Sequence, residues 1–523
     1  MSTRRVINIV NFIRYDEPRV AMDLLQPVVE QMKLLSAAKL PATWLLQFDA
    51  LVAGPYAQFL KANMPANHEV GLWFEINRMH CDAAGVPFHG ADGLNWDYHA
   101  QASLSVGYTP DERRKLVDVA VSRFREIFGH APRSVAAWYI DALTLDHFCS
   151  AHKITATANC KDQYGTDGYT LWGAPYAGAY YPSKQNAMVP ASTPEQQIGV
   201  PLFRMLGSDP IHQYDLDLGE PLQRVLSLEP VYGNGGADPN WVKKYLDIIA
   251  LSPALALSYA QAGQENSFGW EAMKTGYELQ VAEFVRRRDA NELGFECMGD
   301  TGAWFQKTFA ATPPQATTAL TDTLGGSRRS IWYHSKFYRA NLLLQDDAIR
   351  IRDIHLFDQN YHERYLAETC KEHAAVFDTL PVLDGLQWST KDHRAWGTPL
   401  LLRDGGIVHP LRAKSNPKVT EHGSVLVLEF PLDAGDGTLR VVFDDGAMRW
   451  TLFPSEPGFT LGLEFRWAPG VKVAFTGVAD DKLEYQHNGF SYGVRVRNSN
   501  IERTRKGFML KSAATEIELH FRA

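Results

Sequence analysis

Three runs of strand length, Val6-Ile-Asn-Ile-Val-Asn-Phe12, Ala42-Thr-Trp-Leu-Leu-Gln-Phe48 and Glu69-Val-Gly-Leu-Trp-Phe74, are apolar at most positions and succeed one another with helix-length segments between them. A strand that reads this way is buried on both faces, the situation of a parallel sheet covered by helices rather than an antiparallel sheet with one wet face. The spacers at 20–39 and 51–61 are read as helices, which such crossovers require. The clearest helix runs over 109–128. Thr109 caps it, Pro110 takes its first position, and Glu112 completes a capping box. Leu116, Ala120, Phe124 and Phe128 recur at one-turn spacing, and Gly129 stops it. Strands are predicted at 134–140 and 154–158 with a helix at 144–152 between them, and more faintly at 202–206, 225–228 and 254–259.

The texture changes near Trp396. Short alternating strands are predicted at 425–430, 439–443, 448–453, 492–496 and 517–521, with turns such as Asp436-Gly437 and Asn488-Gly489 between them. The chain has 523 residues, enough for two domains. The expectation is a distorted seven-stranded (β/α) barrel over 1–390 followed by an all-β sandwich over 396–523. The junction at 392–399 has no Gly/Ser-rich tether, so the two are expected to pack together. The segment 162–201, rich in Tyr, Gly, Pro and Trp, reads as an ordered functional loop.

Charge narrows the function. Lys and Arg total 52 against 60 Asp and Glu, a net charge of −8, and no basic run could follow a phosphate backbone, so nucleic acid is not an expected partner. No stretch reaches the roughly 18 apolar residues of a membrane span. The opening strand is too short and too rich in Asn for a secretory signal. Cys81, Cys149, Cys160, Cys297 and Cys370 are odd in number and lack metal-type spacing. Reduced thiols in a cytoplasm are the expectation.

The stretch Leu40-Pro-Ala-Thr-Trp-Leu-Leu-Gln-Phe48, then His68-Glu-Val-Gly71, then the capped helix with Gly129-His-Ala-Pro-Arg133 and a strand ending in Trp138-Tyr139, resembles the polysaccharide deacetylase homology domain. The resemblance covers about the first 160 residues. It implies the distorted β/α barrel which that family shares with glycoside hydrolase families 57 and 38. The family holds a divalent metal with an Asp and two histidines four apart. Trp73 and Asn77 stand where the histidine pair would be. The resemblance therefore implies the barrel without its metal triad, and the length beyond it is closer to the glycoside hydrolase branch. Segments Asn-Phe-Ile-Arg, Asp-Gly-Tyr-Thr-Leu-Trp and Gln-Glu-Asn-Ser also resemble those of a bacterial group of glycoside hydrolases.

In parallel barrels the chemistry sits at the C-terminal ends of strands. Carboxylates at or just past strand ends are Glu17, Asp49, Glu75, Asp141, Asp162, Asp209, Glu229 and Glu265. Glycosidic cleavage needs two of them, one protonated and one ionised. Asp162 and Glu265 are favoured as that pair, with Asp141 as a third catalytic candidate. Asp162 as a brace of its own loop and Glu265 as an Arg partner are the competing readings. Glu17, Asp49, Glu75, His99, Asp209 and Glu229 are candidates for substrate hydroxyls, although Glu17 lies between Arg14 and Arg19 and could serve an ion pair. Trp172 and Trp270 are favoured among the aromatics for stacking on sugar faces. The expected reading is a glycoside hydrolase acting on an oligosaccharide with no cofactor or metal. A metal-dependent deacetylase-type amidase or esterase and a barrel that only binds carbohydrate are the alternatives.

Overall fold

The computed structural model describes residues 3–160, 169–170, 178–377 and 379–522. Seven parallel strands are β1 (Arg4–Ile13), β2 (Thr43–Leu46), β3 (Glu69–Trp73), β4 (Ser134–Ala137), β5 (Ala156–Asn159), β6 (Leu202–Arg204) and β7 (Leu257–Ala262). They lie side by side in the order β7-β1-β2-β3-β4-β5-β6. A further short parallel strand, β8 (Gly294–Glu296), pairs with β1, and antiparallel Ala179–Tyr180 borders β6. Among the described residues no ladder joins β6 to β7. The wall is completed there by side chains, with the rings of Phe203 and Tyr259 4.8 Å apart. The result is a nearly closed barrel.

The longer helices around this wall are α1 (Leu25–Ala38), α2 (Pro110–Phe128), α3 (Ala142–His152), α4 (Pro239–Leu251), α5 (Trp270–Asp289) and α6 (Met298–Thr308). The capping box on α2 is present, and its apolar stripe, Leu116, Val117, Ala120, Val121 and Phe124, is buried. Three expectations shift. The 20–39 helix starts only at Leu25, where the Asp23 carboxylate accepts from the Leu25 N–H at 2.9 Å. The 51–61 helix is two pieces, Phe48–Val52 and Tyr56–Asn63, broken at Gly54-Pro55. The strand placed at 254–259 runs over Leu257–Ala262, because Leu255 adopts a positive φ of 62° and turns the chain first. No strand forms at 225–228; its pairing is one isolated bridge, Ser208 with Ser227.

The remainder is two antiparallel sheets around one apolar core that includes Tyr333, Leu342, Ile351, Leu428, Trp450 and Leu510. One sheet begins at Gln315–Ala319 and carries strands of 329–356 and 380–384 together with those of 396–410, 459–466 and 500–511. It therefore holds strands from both sides of the division expected at 390–396. The other sheet contains all five strands predicted after residue 424, at Val425–Pro431, Thr438–Phe443, Ala447–Phe453, Phe490–Arg497 and Glu516–His520. Between sandwich strands the chain returns to the barrel, whose core takes in Phe357, Tyr365, Cys370 and Ala375. A barrel loop reciprocates: the Tyr214 hydroxyl donates to Asp353 at 2.8 Å, and Asp215 pairs with Arg328 and Arg352 at 2.8 and 3.2 Å.

Candidate active site

The C-terminal mouth of the barrel is organised around Arg14, the residue after β1, only 2% exposed. Its guanidinium lies 2.8 Å from Glu75 beyond β3, 3.4 Å from Glu265 beyond β7 and 3.7 Å from Glu17. A charge buried this deeply needs such partners, because desolvation costs several kcal/mol unless opposite charge replaces water. The Trp96 ring covers the guanidinium at 4.1 Å.

The backbone that presents Glu265 is fixed by side-chain bonds. Gly263, at φ 108°, lets the end of β7 pass against β1; a Cβ there would stand 2.1 Å from the Val10 carbonyl oxygen. The Asn11 side-chain oxygen then accepts from the Gln264 N–H at 3.1 Å and from the Tyr277 hydroxyl at 3.0 Å. Asn266 accepts from the Arg14 N–H and donates to the Arg14 carbonyl, at 2.9 and 2.8 Å. Glu265 is thus tied to the end of β1 on both sides. Glu75 is held by the Trp73 indole, which donates to it at 2.8 Å, and the Gln47 amide donates to its carbonyl at 3.1 Å.

Glu229 occupies the same region with different neighbours. It accepts from the Ser227 hydroxyl at 2.9 Å and from the Gln264 amide at 3.3 Å, both neutral donors. Burial, reinforced by the negative charge of Glu265, pushes its carboxyl up to about 7. Burial, with the negative charges of Glu75 and Glu17, also raises Glu265, against the opposing Arg14 cation and a hydrogen bond from Ser267. The two carboxyls therefore sit in unlike electrostatic surroundings.

Aromatic rings form one wall. Phe12 stacks on Trp73 with centroids 4.0 Å apart, and Trp138 meets both edge-on at 5.6 and 5.5 Å. From Trp96 a row continues outward through Tyr98 and His99 to His373, the two imidazoles 3.9 Å apart.

Of the residues singled out in the sequence, Glu17, Glu75, Glu229 and Glu265 meet here. Burial tends to raise Glu17, but hydrogen bonds and charge from Arg19, and charge from Arg14, outweigh it and hold the carboxyl below its ordinary value, so the ion-pair reading describes it. Asp49 is fully buried and accepts from Asn95 at 2.7 Å; burial pushes it up to about 6. His99 binds Asp97 at 2.6 Å on the outer rim.

Two carboxylates are taken up by structural partners instead. Asp141 is fully buried, caps α3 by accepting from the Thr144 N–H and hydroxyl at 3.0 and 2.6 Å, and pairs with the equally buried Arg113 at 3.0 Å. Asp209 accepts from the N–H groups of Ile211 and His212, the Trp241 indole and the Thr323 hydroxyl. Trp270 is buried at the start of α5, against Tyr277. Asp162 and Trp172 lie outside the described residues.

Sequence reasoning missed Arg14 as the hub, having read it only as a neighbour of Glu17. It also missed Glu363, which accepts from the Tyr139 hydroxyl at 2.7 Å and the Ala142 and Ala187 N–H groups at 2.9 and 3.0 Å, and which burial and Asp141 push up to about 7. Nothing local in the sequence ties residue 363 to the barrel.

Trp73 and Asn77, at the positions where the resembled deacetylases carry histidines, are engaged otherwise: Trp73 holds Glu75, and Asn77 caps the helix Arg78–Ala84 by accepting from the His80 N–H at 3.0 Å. The architecture has a counterpart among solved structures. A protein of Parabacteroides distasonis assigned as a glycoside hydrolase/deacetylase matches with a TM-score of 0.52 at 14% identity, over 72% of this chain and 91% of that one. The fold is of that kind. Deacetylase-type proteins of Mycobacterium smegmatis and Pseudomonas aeruginosa also match, each with a TM-score of 0.36, at 11% and 13% identity, over 58% of this chain and 90% and 92% of theirs. No family model and no curated protein matches the sequence. Among the described residues, no helix is long and apolar enough to cross a membrane.

Proposed function

We propose that the protein is a carbohydrate-active hydrolase that cleaves glycosidic bonds with two carboxyl groups at the barrel mouth, Glu265 and Glu229. One observation carries this reading: both carboxyls have negative neighbours, but Glu265 also has the Arg14 cation at 3.4 Å, whereas Glu229 has only neutral donors. Glycoside cleavage needs that division, one carboxyl kept protonated to give its proton to the leaving oxygen and one ionised to act as nucleophile or to activate water. Glu229 takes the first role and Glu265 the second. Glu75 and Glu17 are positioning residues that hold Arg14, and through it Glu265.

The buried indole-rich wall of Trp73, Trp96 and Trp138 backs the carboxyl groups with apolar surroundings, which favour keeping one of them protonated. The P. distasonis protein of similar fold bears a glycoside hydrolase/deacetylase assignment, which supports a saccharide substrate by analogy of fold. Asp162, just past β5, is proposed as a further carboxyl of the same rim, and Trp172 as a further stacking ring. The engagement of Trp73 and Asn77 favours turnover without a metal at this mouth.

A hydrolysis screen over oligosaccharides of differing sugar and linkage, run with and without a chelator, tests the proposal. Release of new reducing ends that the chelator leaves unchanged is the expected result. Turnover that collapses on chelation and returns with a divalent ion would favour the deacetylase-type reading.

A further inference from the structure

Away from the mouth, on the outer helical layer, α2 and α3 bring three ligand-type side chains to one point. His147 Nε2 and His152 Nε2, both from α3, each lie 2.8 Å from the same carboxylate oxygen of Asp118 on α2. The two nitrogens and the oxygen are all within 4.8 Å of one another. The imidazole rings stand at 87° with centroids 5.5 Å apart, so they approach the carboxylate from different directions. Among the described residues this is the one group of three or more His, Cys, Asp or Glu side chains whose ligating atoms converge in this way.

We propose that Asp118, His147 and His152 form a binding site for a zinc-class divalent ion that ties α2 to α3 on the outside of the barrel. Two imidazoles and a carboxylate are a donor set for zinc and its neighbours in the transition series, with the remaining positions open to water. Nitrogen and oxygen ligands at about 2.0–2.1 Å from a tetrahedral ion stand about 3.3 Å apart. Reaching that spacing asks the Asp118 carboxylate to withdraw by roughly half an ångström. Its side chain is 54% exposed and has no other hydrogen bond among the described residues, so the movement is free. Proton balance is simple: each neutral imidazole carries its proton on Nδ1 in place of Nε2, the carboxylate is already ionised, and no oxidant or reductant is involved.

The outer bonding of the ligands limits affinity. His152 Nδ1 is buried with no hydrogen-bond partner among the described residues, so that ring lacks the outer bond that usually orients a metal-bound histidine. The site is therefore expected to bind zinc more weakly than a fully braced one. It is independent of the hydrolase reading, since its ligands belong to the outer helices and none touches the mouth.

The test uses the full chain without a histidine tag, stripped with a chelator and desalted, then titrated with zinc chloride by calorimetry and with cobalt(II) by visible absorption. One equivalent is expected, with a cobalt spectrum of four- or five-coordinate type and a rise in melting temperature on adding zinc. His147→Ala, His152→Ala and Asp118→Ala should each weaken zinc by about 10-fold or more, the scale seen even for outer-shell losses. The double variant H147A/H152A should lose the equivalent and the stabilisation. All three side chains are on the outer layer, and circular dichroism confirms that the variants are folded. Absence of any zinc equivalent in the wild type, or its survival in the folded double variant, overturns the proposal.

Discussion

Replacing Arg14 with Met keeps the length of the side chain and its apolar stem under Trp96 but removes the charge on which the mouth is organised. The pair with Glu75, at 2.8 Å, has a gross attraction of about 6 kcal/mol at an effective dielectric of about 20. Much of that is offset in the wild type by the desolvation of two buried ions. The variant recovers none of the desolvation of the carboxylates, which stay buried without their cation. Breaking a buried pair from one side costs about 3–5 kcal/mol, and that is the loss of stability expected for Arg14→Met. The neutral Trp73 indole still donates to Glu75 but does not replace the charge. The penalty should also depend on pH. Buried carboxyls without the cation hold their protons more tightly folded than unfolded, so the deficit grows as pH rises from 5 to 8. Urea unfolding followed by tryptophan fluorescence at both pH values measures it. Because the cause is stranded negative charge, adding Glu75→Gln to the variant should recover at least about 1 kcal/mol relative to the sum of the single effects. A folded Arg14→Met protein within about 1 kcal/mol of wild type, or a double variant whose losses simply add, would refute this account of the hub.

Asp141→Ala should cost about 3–5 kcal/mol by leaving Arg113 buried without its partner and uncapping α3, while the folded fraction keeps its specific activity; a thermal melt beside an active-site titration separates the two. Asp215→Ala should loosen the contact between barrel and sandwich by a similar amount, because Arg328 and Arg352 lose their carboxylate, and limited proteolysis should then cut near residue 215 faster than in wild type. With Glu229 raised to about 7 and acting in its protonated form, turnover should fall as pH rises through about 7, and Glu229→Gln should abolish that limb of the profile. An unchanged alkaline limb in the folded variant would assign the titration to another group.

The barrel was legible because its strands are read one at a time. Runs such as Thr43–Leu46 and Glu69–Trp73 are apolar after their first residue, and the caps of α2 are local. The sandwich strands after residue 424 alternate cleanly, so they were legible too. The start of the sandwich was not: Ala348–Leu356 alternates apolar with charged residues, yet its charged face is buried too, with Asp353 paired to Arg339 and Arg352 to Asp215, contacts that no local pattern reports. In the site, strand-end position brought Glu75, Glu229 and Glu265 to notice. It could not separate them from Asp141, which differs only in having Arg113 and Thr144 as partners, contacts from other turns of the fold. Charge compensation around Arg14 joins residues 14, 75 and 265, and no pattern along the chain reports a contact of that range.

On the proposed reading, Glu265 does chemistry on a glycosidic bond. The most direct measurement is a paired assay on partially acetylated oligosaccharides, counting new reducing ends and free acetate in the same reaction for wild type and Glu265→Gln. Reducing ends without acetate are expected, with a loss of about 100-fold or more in the folded variant, the scale of positioned carboxyl catalysis. Acetate without new reducing ends, or a folded Glu265→Gln protein that turns over like wild type, would contradict it.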